Sequence, residues 1–354
     1  MNIKVKVIGA GSIGNHLTQA ARRMGWQVVV VDRDPVALER MKIDIYPKRY
    51  GAWDESIQLF TTEQEPKDGF DIICLGTPPD VRMKLALAAL SERPKILQLE
   101  KPLCTPSLAG LEDFLAAYKI QTDTIAVIGY DHAVSRSIFE VLSLIQQGII
   151  GSIQTLDVEF REHWQGIFSA HPWLKGPEDT YLGYWQRGGG AGGEHSHALH
   201  LWQLLARHSG FGAWVKVGSA MEKRQLNGAE HDILTAFNFI TESGKVGRVV
   251  QDVITYPTRK WARLQGENGF IEWIANGSPE GDVVRYKIAG QEVVEKVFAK
   301  KRPDDFYQEM LHIQDILDKK VIANDSPISF ESGLAVMKIL QAVYAQPNET
   351  LVLA

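Results

Sequence analysis

The sequence predicts two domains of different class, a doubly wound α/β domain on a parallel sheet followed by an α+β domain with a mostly antiparallel sheet. Three observations predict it. β-branched runs alternate with amphipathic segments over the first third of the chain, a glycine-rich loop joins the first such run to the first amphipathic segment, and the pattern changes to period-two alternation after Ile150. Length agrees, because 354 residues with 45% hydrophobic and 23% charged side chains exceed what one ordinary core organises.

The elements follow in order. Val5-Lys6-Val7-Ile8 reads as a strand, Ile13 to Met24 as a helix, Val28 to Val31 as a strand and Pro35 to Met41 as a helix, which is the βαβ rhythm. Further buried strands are expected at Asp71 to Leu75, Lys95 to Leu99 and Thr124 to Ile128, separated by helices at Asp80 to Leu90 and Ser107 to Tyr118. The alternating runs Ser152 to Arg161, Trp214 to Met221, Leu234 to Phe239, Gly247 to Ile254 and Trp261 to Leu264 read as an antiparallel sheet. A glycine-rich break, Gly188-Gly189-Gly190-Ala191-Gly192-Gly193, precedes an apolar helix from His197 to Ala206, and two more helices are expected at Asp304 to Leu317 and Phe330 to Tyr344. The boundary falls between Ile128 and Gly151. A cut at 128/129 gives domains of 1–128 and 129–354, with the terminal helix 330–345 expected to pack back on the first.

Composition excludes several classes. A net charge of −5 and a pI near 6.1 supply no basic field for nucleic acid or anionic lipid. No apolar stretch approaches the roughly 20 residues that span a bilayer, and with a first strand beginning at Ile3 no signal peptide is expected. The two cysteines, Cys74 and Cys104, have neither metal nor redox spacing, so a reduced, cytoplasmic setting is expected.

Gly9-Ala10-Gly11-Ser12-Ile13-Gly14 ends a strand and opens a helix, the context in which backbone N–H groups at a positive helix end face a pyrophosphate. Asp32 closes the second strand, where a carboxylate accepts hydrogen bonds from ribose hydroxyls and repels a 2′-phosphate. NAD(H) is therefore favoured over NADP(H). Arg33 tempers this, since its guanidinium can stack on adenine or turn to neutralise a phosphate. Thr77-Pro78-Pro79 follows the strand at Asp71 to Leu75, at the carboxyl edge where such sheets bind ligands. A plain turn explains the two prolines equally well.

Glu100-Lys101-Pro102 sits at the end of the Lys95 to Leu99 strand and delivers an ammonium to the same edge. A cation beside a substrate hydroxyl stabilises oxyanion charge, and Pro102 stiffens the backbone and can hold a cis peptide. Histidine is the usual acceptor of the hydroxyl proton when an alcohol becomes a ketone. In Glu194-His195-Ser196-His197-Ala198-Leu199-His200 the candidate base is His197, which shares a helix face with His200. His195 and His200 fit a helix cap or a polar layer as well as a substrate role. A zinc site from Glu194, His195, His197 and His200 has suitable residue types but no established spacing, so no metal is expected. Between His163 and Arg187 stand Trp164, Phe168, Trp173, Tyr181, Tyr184 and Trp185, faces that suit a sugar ring or pack a long loop.

With these motifs in order, together with Gly129-Tyr130-Asp131-His132 and Ala262-Arg263-Leu264-Gln265-Gly266-Glu267-Asn268-Gly269, the chain resembles the glucose-fructose oxidoreductase, inositol dehydrogenase and rhizopine catabolism (Gfo/Idh/MocA) family over nearly its whole length. The resemblance implies an N-terminal Rossmann domain and a C-terminal open sheet whose face makes homodimers or homotetramers. It implies a carbohydrate-like substrate, with Lys101 contacting nicotinamide ribose and substrate, His197 as acid and base, and Glu100 lining the cofactor. Tyr130, Asp131, His132, Trp164, Trp185, Arg187, Glu194, His195 and His200 become candidates for substrate contact. Five positions depart from the family pattern: Gly193 and His200 stand where aspartates are common, Asp131 and Ala133 replace the Asn and Arg of Asn-x-Arg, and Arg82 replaces a histidine. The family also contains redox-neutral NAD-dependent glycosidases and non-catalytic dinucleotide-binding regulators, which are the alternatives to a dehydrogenase acting on CH–OH groups.

Overall fold

Four consecutive valines, Val28 to Val31, carry branched side chains that suit a strand covered on both faces, and they form the middle of the second strand. The computed structural model describes residues 3–169, 171, 173–301 and 303–353. Its elements in chain order are β1 (Lys4–Ile8), α1 (Ser12–Arg23), β2 (Gln27–Asp32), α2 (Pro35–Arg40), a π-helical turn (Met41–Ile45), α3 (Tyr46–Tyr50), β3 (Gln58–Thr61), β4 (Ile72–Leu75), α4 (Pro79–Ser91), β5 (Ile96–Leu99), α5 (Leu111–Ile120) and β6 (Ile125–Ile128). There follow α6 (Arg136–Gln146), β7 (Ile153–Arg161), α7 (Trp164–Ser169), α8 (Gly190–Glu194), α9 (His197–His208), β8 (Trp214–Leu226), β9 (Ala229–Thr241), β10 (Val246–Asp252), β11 (Arg259–Gly266), β12 (Gly269–Ser278), β13 (Gly281–Ile288), β14 (Val294–Ala299), α10 (Asp304–Leu317), α11 (Phe330–Ala345) and β15 (Thr350–Val352).

These fall into two units. The first holds the described residues of Met1–Cys104, Leu108–Asp131 and Arg302–Glu331, and the second those of Thr105–Ser107, His132–Lys301 and Ser332–Ala354. The segment containing α10 thus lies with the first unit, where a single cut at 128/129 would assign it to the second.

In the first unit the strand order is β3-β2-β1-β4-β5-β6 and every pairing is parallel. The order reverses between β1 and β4, which opens a crevice at the carboxyl ends of those strands. β3 is an edge strand of partly exposed residues without a clear apolar run, so the sequence pattern does not single it out. α2 begins where the Asp34 side chain accepts a hydrogen bond from Val36 N at 2.9 Å, with Pro35 in the first turn. α1 begins differently. Its N-cap is Gly11, which offers no side chain to the first-turn amides. α10 packs on α1, with the His16 ring stacked on Phe306 at 4.7 Å and Arg23 paired with Asp304 at 2.7 Å.

In the second unit the order is β14-β13-β12-β11-β7-β10-β9-β8-β15, antiparallel except for the β7–β10 pair. α6 and α9 cover one face, against β12 and β13 and against β7 and β10. Along β7, Leu156, Val158 and Phe160 point into that core, while Asp157 and Glu159 face the other way and pair with Arg248 at 2.9 Å and Arg259 at 2.8 Å. β12 to β14 extend the sheet beyond the strands read from sequence; β14 is exposed along nearly all of its length and carries no buried alternation. The segment 163–187, expected as a loop, holds α7 and three 3-10 turns, Pro177–Asp179, Tyr181–Gly183 and Trp185–Arg187. Ala170 and Pro172 of that segment lie outside the described residues. The glycine run is also more ordered than a break, since Gly190 to Glu194 are helical. Among the described residues no helix is long and apolar enough to cross a membrane.

Candidate active site

Gly9 follows β1 with φ +107°, and a Cβ there would stand 2.9 Å from the Gly76 carbonyl oxygen, while one on Gly14 would stand 1.8 Å from the Gly9 carbonyl oxygen. Close approach of backbone to backbone requires these two glycines. Gly11 is different. A Cβ there would meet nothing within 4 Å, so its bare backbone leaves open space before the uncapped turn of α1 that Ser12 and Ile13 begin. Asp32 braces the loop: its Oδ2 accepts from Ala10 N at 2.7 Å and its Oδ1 from Asp34 N at 2.9 Å. Asp32 is half-buried and Arg33 exposed. Thr77 and Pro78 follow β4, and Pro79 starts α4.

Glu100-Lys101-Pro102 leaves β5 with a cis peptide between Lys101 and Pro102, and the lysine is half-buried. Glu100 is buried. Its Oε1 accepts from Gln98 Nε2 at 3.0 Å and its Oε2 from the Lys101 backbone N–H at 3.3 Å. Burial raises the Glu100 carboxyl above the usual carboxylate range, against the pull of Arg82 and Lys101. Arg82 is itself buried and donates to the carbonyls of Glu100, at 2.6 Å, of Pro102 and of Thr77. It therefore staples the loop after β4 to the loop after β5. In the sequence Arg82 stood out only as a mismatch to the family pattern; three accepting carbonyls make it a positioning residue.

In the second unit His197 opens α9 with its ring half-buried. His132 meets it edge-on with centroids 5.0 Å apart, and Phe160 lies nearly parallel to it at 6.1 Å. The glycines before it record their neighbours. Gly190 has φ +77° and a Cβ there would lie 1.9 Å from Asp232 Oδ1, while a Cβ on Gly192 would lie 2.6 Å from the Tyr344 hydroxyl. Asp232, fully buried in β9, accepts from Gly192 N at 2.7 Å, Thr235 Oγ1 at 2.8 Å and Tyr344 OH at 2.6 Å. Burial still raises the Asp232 carboxyl above its usual range, and it pushes the Tyr344 hydroxyl well above the usual phenol value.

The remaining candidates are spread more widely. Tyr130 and Asp131 are buried at the end of the first unit, and His132 is half-buried beside His197. Glu194 is half-buried, whereas His195 and His200 are buried; Gln251 Nε2 donates to the His195 carbonyl, and His200 Nε2 lies 3.2 Å from Ser332 Oγ. Trp164 donates from Nε1 to His231 Nε2 at 3.2 Å and packs against Ala191, Ile233 and Val253, a site whose burial depresses His231 below the usual imidazole range. Trp185 stacks on Tyr344 at 5.2 Å, with Lys223 Nζ 4.1 Å from its ring centre, and Arg187 is exposed. Both tryptophans are engaged in packing within the unit.

The family model whose description is "Oxidoreductase family, NAD-binding Rossmann fold" (Gfo/Idh/MocA) matches residues 3–129. Residues 3–129 are thus a Gfo/Idh/MocA NAD-binding domain. No curated protein matches it in sequence. Among solved structures, an aldose-aldose oxidoreductase from Caulobacter crescentus complexed with glycerol is similar at 18% identity over all of both chains, with a TM-score of 0.76. Levoglucosan dehydrogenase complexed with NADH is similar at 16% identity over all of both chains, with a TM-score of 0.76. GenD2 from gentamicin A biosynthesis, in complex with NAD, is similar at 16% identity over 100% of this chain and 97% of that one, with a TM-score of 0.74. At these identities the likeness is one of fold.

As a Gfo/Idh/MocA NAD-binding domain, the first unit has what the cofactor requires: open space at Gly11, first-turn amides with no side-chain cap, and the Asp32 carboxylate at the end of β2. It adds a cation the motif does not reveal. Arg49, on α3, donates from Nη1 to Ser12 Oγ at 2.9 Å, beside His16, whose Nδ1 lies 2.6 Å from the Tyr50 hydroxyl. Arg49→Ala is expected to weaken NAD binding about tenfold, the loss of one charge-assisted hydrogen bond, and to leave binding of adenosine, which has no pyrophosphate, unchanged. Titration calorimetry with both ligands checks this; equal losses would mean that Arg49 only shapes the loop.

Proposed function

We propose that the protein is an NAD(H)-dependent oxidoreductase interconverting a secondary alcohol and a ketone on a sugar, cyclitol or nucleotide sugar. The observation that carries this reading is Lys101, delivered by β5 to the sheet edge that also holds the Gly11 opening and Asp32. Its ammonium polarises the reacting oxygen and favours the anionic form of that oxygen. His197 takes the hydroxyl proton on a ring nitrogen during oxidation and returns it during reduction. NAD supplies the acceptor or donor of hydride when bound. Of the residues proposed for substrate contact, His132 stands beside His197, with ring centroids 5.0 Å apart. Sugar-acting proteins among the similar folds, the aldose-aldose oxidoreductase and levoglucosan dehydrogenase, support the substrate class.

Assembly through the open sheet face, as a homodimer or homotetramer, belongs to the same reading, as does a reducing cytoplasmic setting in keeping with two free, buried cysteines. Incubating the purified protein and NAD with a panel of polyols, cyclitols and sugars is expected to give net reduction of the nicotinamide with at least one member. Hydrolysis of a glycoside with no net change in nicotinamide absorbance would replace this reading with a redox-neutral one.

A further inference from the structure

Glu309 is fully buried on α10, in the first unit. Its Oε1 accepts from Gln98 Nε2 at 3.1 Å, and the same nitrogen donates to Glu100 Oε1 at 3.0 Å, so one neutral amide joins two buried carboxyls. Among the described residues Glu309 Oε2 has no hydrogen-bond partner. The packing is tight: a Cβ on Gly129 would stand 2.5 Å from Glu100 Oε1 and 2.9 Å from Gln98 Nε2, which accounts for the glycine of the Gly129-Tyr130 motif.

The charges around the pair are unequal. Arg82 and Lys101 face Glu100, whereas Glu309 faces the carboxyls of Glu100 and Asp131. From β4 the Cys74 thiol faces both acids and, raised well above its usual value by burial and by them, is neutral. From α1, His16 meets α10 at Phe306. Two buried carboxylates cannot both ionise around one amide without a cation for each. The negative charge therefore rests on Glu100, and burial together with Glu100 and Asp131 holds the Glu309 carboxyl well above the usual carboxylate range. Because its Oε1 accepts from Gln98, the acid proton sits on Oε2.

We propose that Glu309 is a positioning residue for the Glu100-Lys101-Pro102 loop: as a neutral acid it lets Gln98 fix the Glu100 carboxylate, whose Oε2 in turn holds the Lys101 amide, and on ionising it displaces Glu100. The sign of the pH effect follows. In the usual carboxylate range and above, the unfolded chain sheds this proton while the folded chain keeps it, so the contribution of Glu309 to stability falls as pH rises toward its raised folded value. The loop loses its seat at the upper end of that window.

Infrared difference spectra of the full chain read the proton directly. Wild type is expected to show at neutral pH a carboxylic-acid carbonyl band that Glu309→Gln lacks, and identical spectra would overturn the proposal. Fluorescence titration with NADH reads the positioning. Affinity of the wild type is expected to fall about tenfold as pH rises through the ionisation, the size of an ordinary coupling between sites, and Glu309→Gln is expected to flatten that fall; parallel curves would overturn the proposal. Gln98→Leu removes the bridge but keeps both acids, and is expected to weaken NADH at every pH, so unchanged affinity would count against it. These readouts need cofactor binding only, and a failure of the proposed alcohol chemistry leaves them standing.

Discussion

Lys101→Met and His197→Ala are each expected to lower turnover by about 10²–10⁴-fold, the range for loss of a positioned acid, base or charge stabiliser, with NAD binding retained. The two losses differ in kind. Without Lys101 the developing alkoxide has no adjacent ammonium, and Lys101→Arg is not a rescue, because a planar guanidinium is longer and differently shaped than the group it replaces. Without His197 the hydroxyl proton has no acceptor, so residual activity should rise with pH as solvent hydroxide takes over. Steady-state rates across pH, paired with NADH titrations, separate these cases. Wild-type turnover in either variant removes that residue from the mechanism, while loss of NAD binding in Lys101→Met would make it a cofactor anchor first.

Asp232→Ala is expected to cost about 3–5 kcal/mol, the scale for removing a buried acceptor and leaving its donors unpaired. Three donors lose their partner at once: the Gly192 amide, the Thr235 hydroxyl and the Tyr344 hydroxyl. Tyr344→Phe removes one of the three, keeps the ring on Trp185, and should cost only about 1 kcal/mol. Gly190→Ala should resemble the larger loss, since its Cβ would lie 1.9 Å from Asp232 Oδ1 at a positive φ. Urea unfolding of the three variants orders them. If Asp232→Ala unfolds no earlier than Tyr344→Phe, the carboxyl is not what holds the turn ahead of His197.

Much of the first unit was legible in sequence because buried parallel strands read as short apolar runs and the glycine loop sits between a strand and a helix. The placement of Lys101, Asp32 and Gly11 is legible for the same reason: each stands at or just past a strand's carboxyl end, where position along the chain predicts position in space. Arg49, Arg82, Gln98, Asp232 and Glu309 were not found, since each acts across a long stretch of chain or through carbonyl oxygens that carry no residue identity. Glu309 did leave a trace. It falls on the same helical face as Phe306 and Ile313, and an acid on an apolar stripe marks a group with a buried partner. Trp164 and Trp185 show the opposite case, aromatic residues whose composition suits a sugar ring and whose surroundings are the side chains of their own unit.

α10 also sets an order of events. β1 and α1 are made before the second sheet, yet the helix that covers α1 and the acid that sits on Gln98 come from residues 304–317, after eight of that sheet's nine strands have been made. During synthesis the nucleotide-binding half must wait, its first helix uncovered, until residues 304–317 have been made. The contacts that close it are among the longest in sequence separation that the chain makes, the kind that slow folding most.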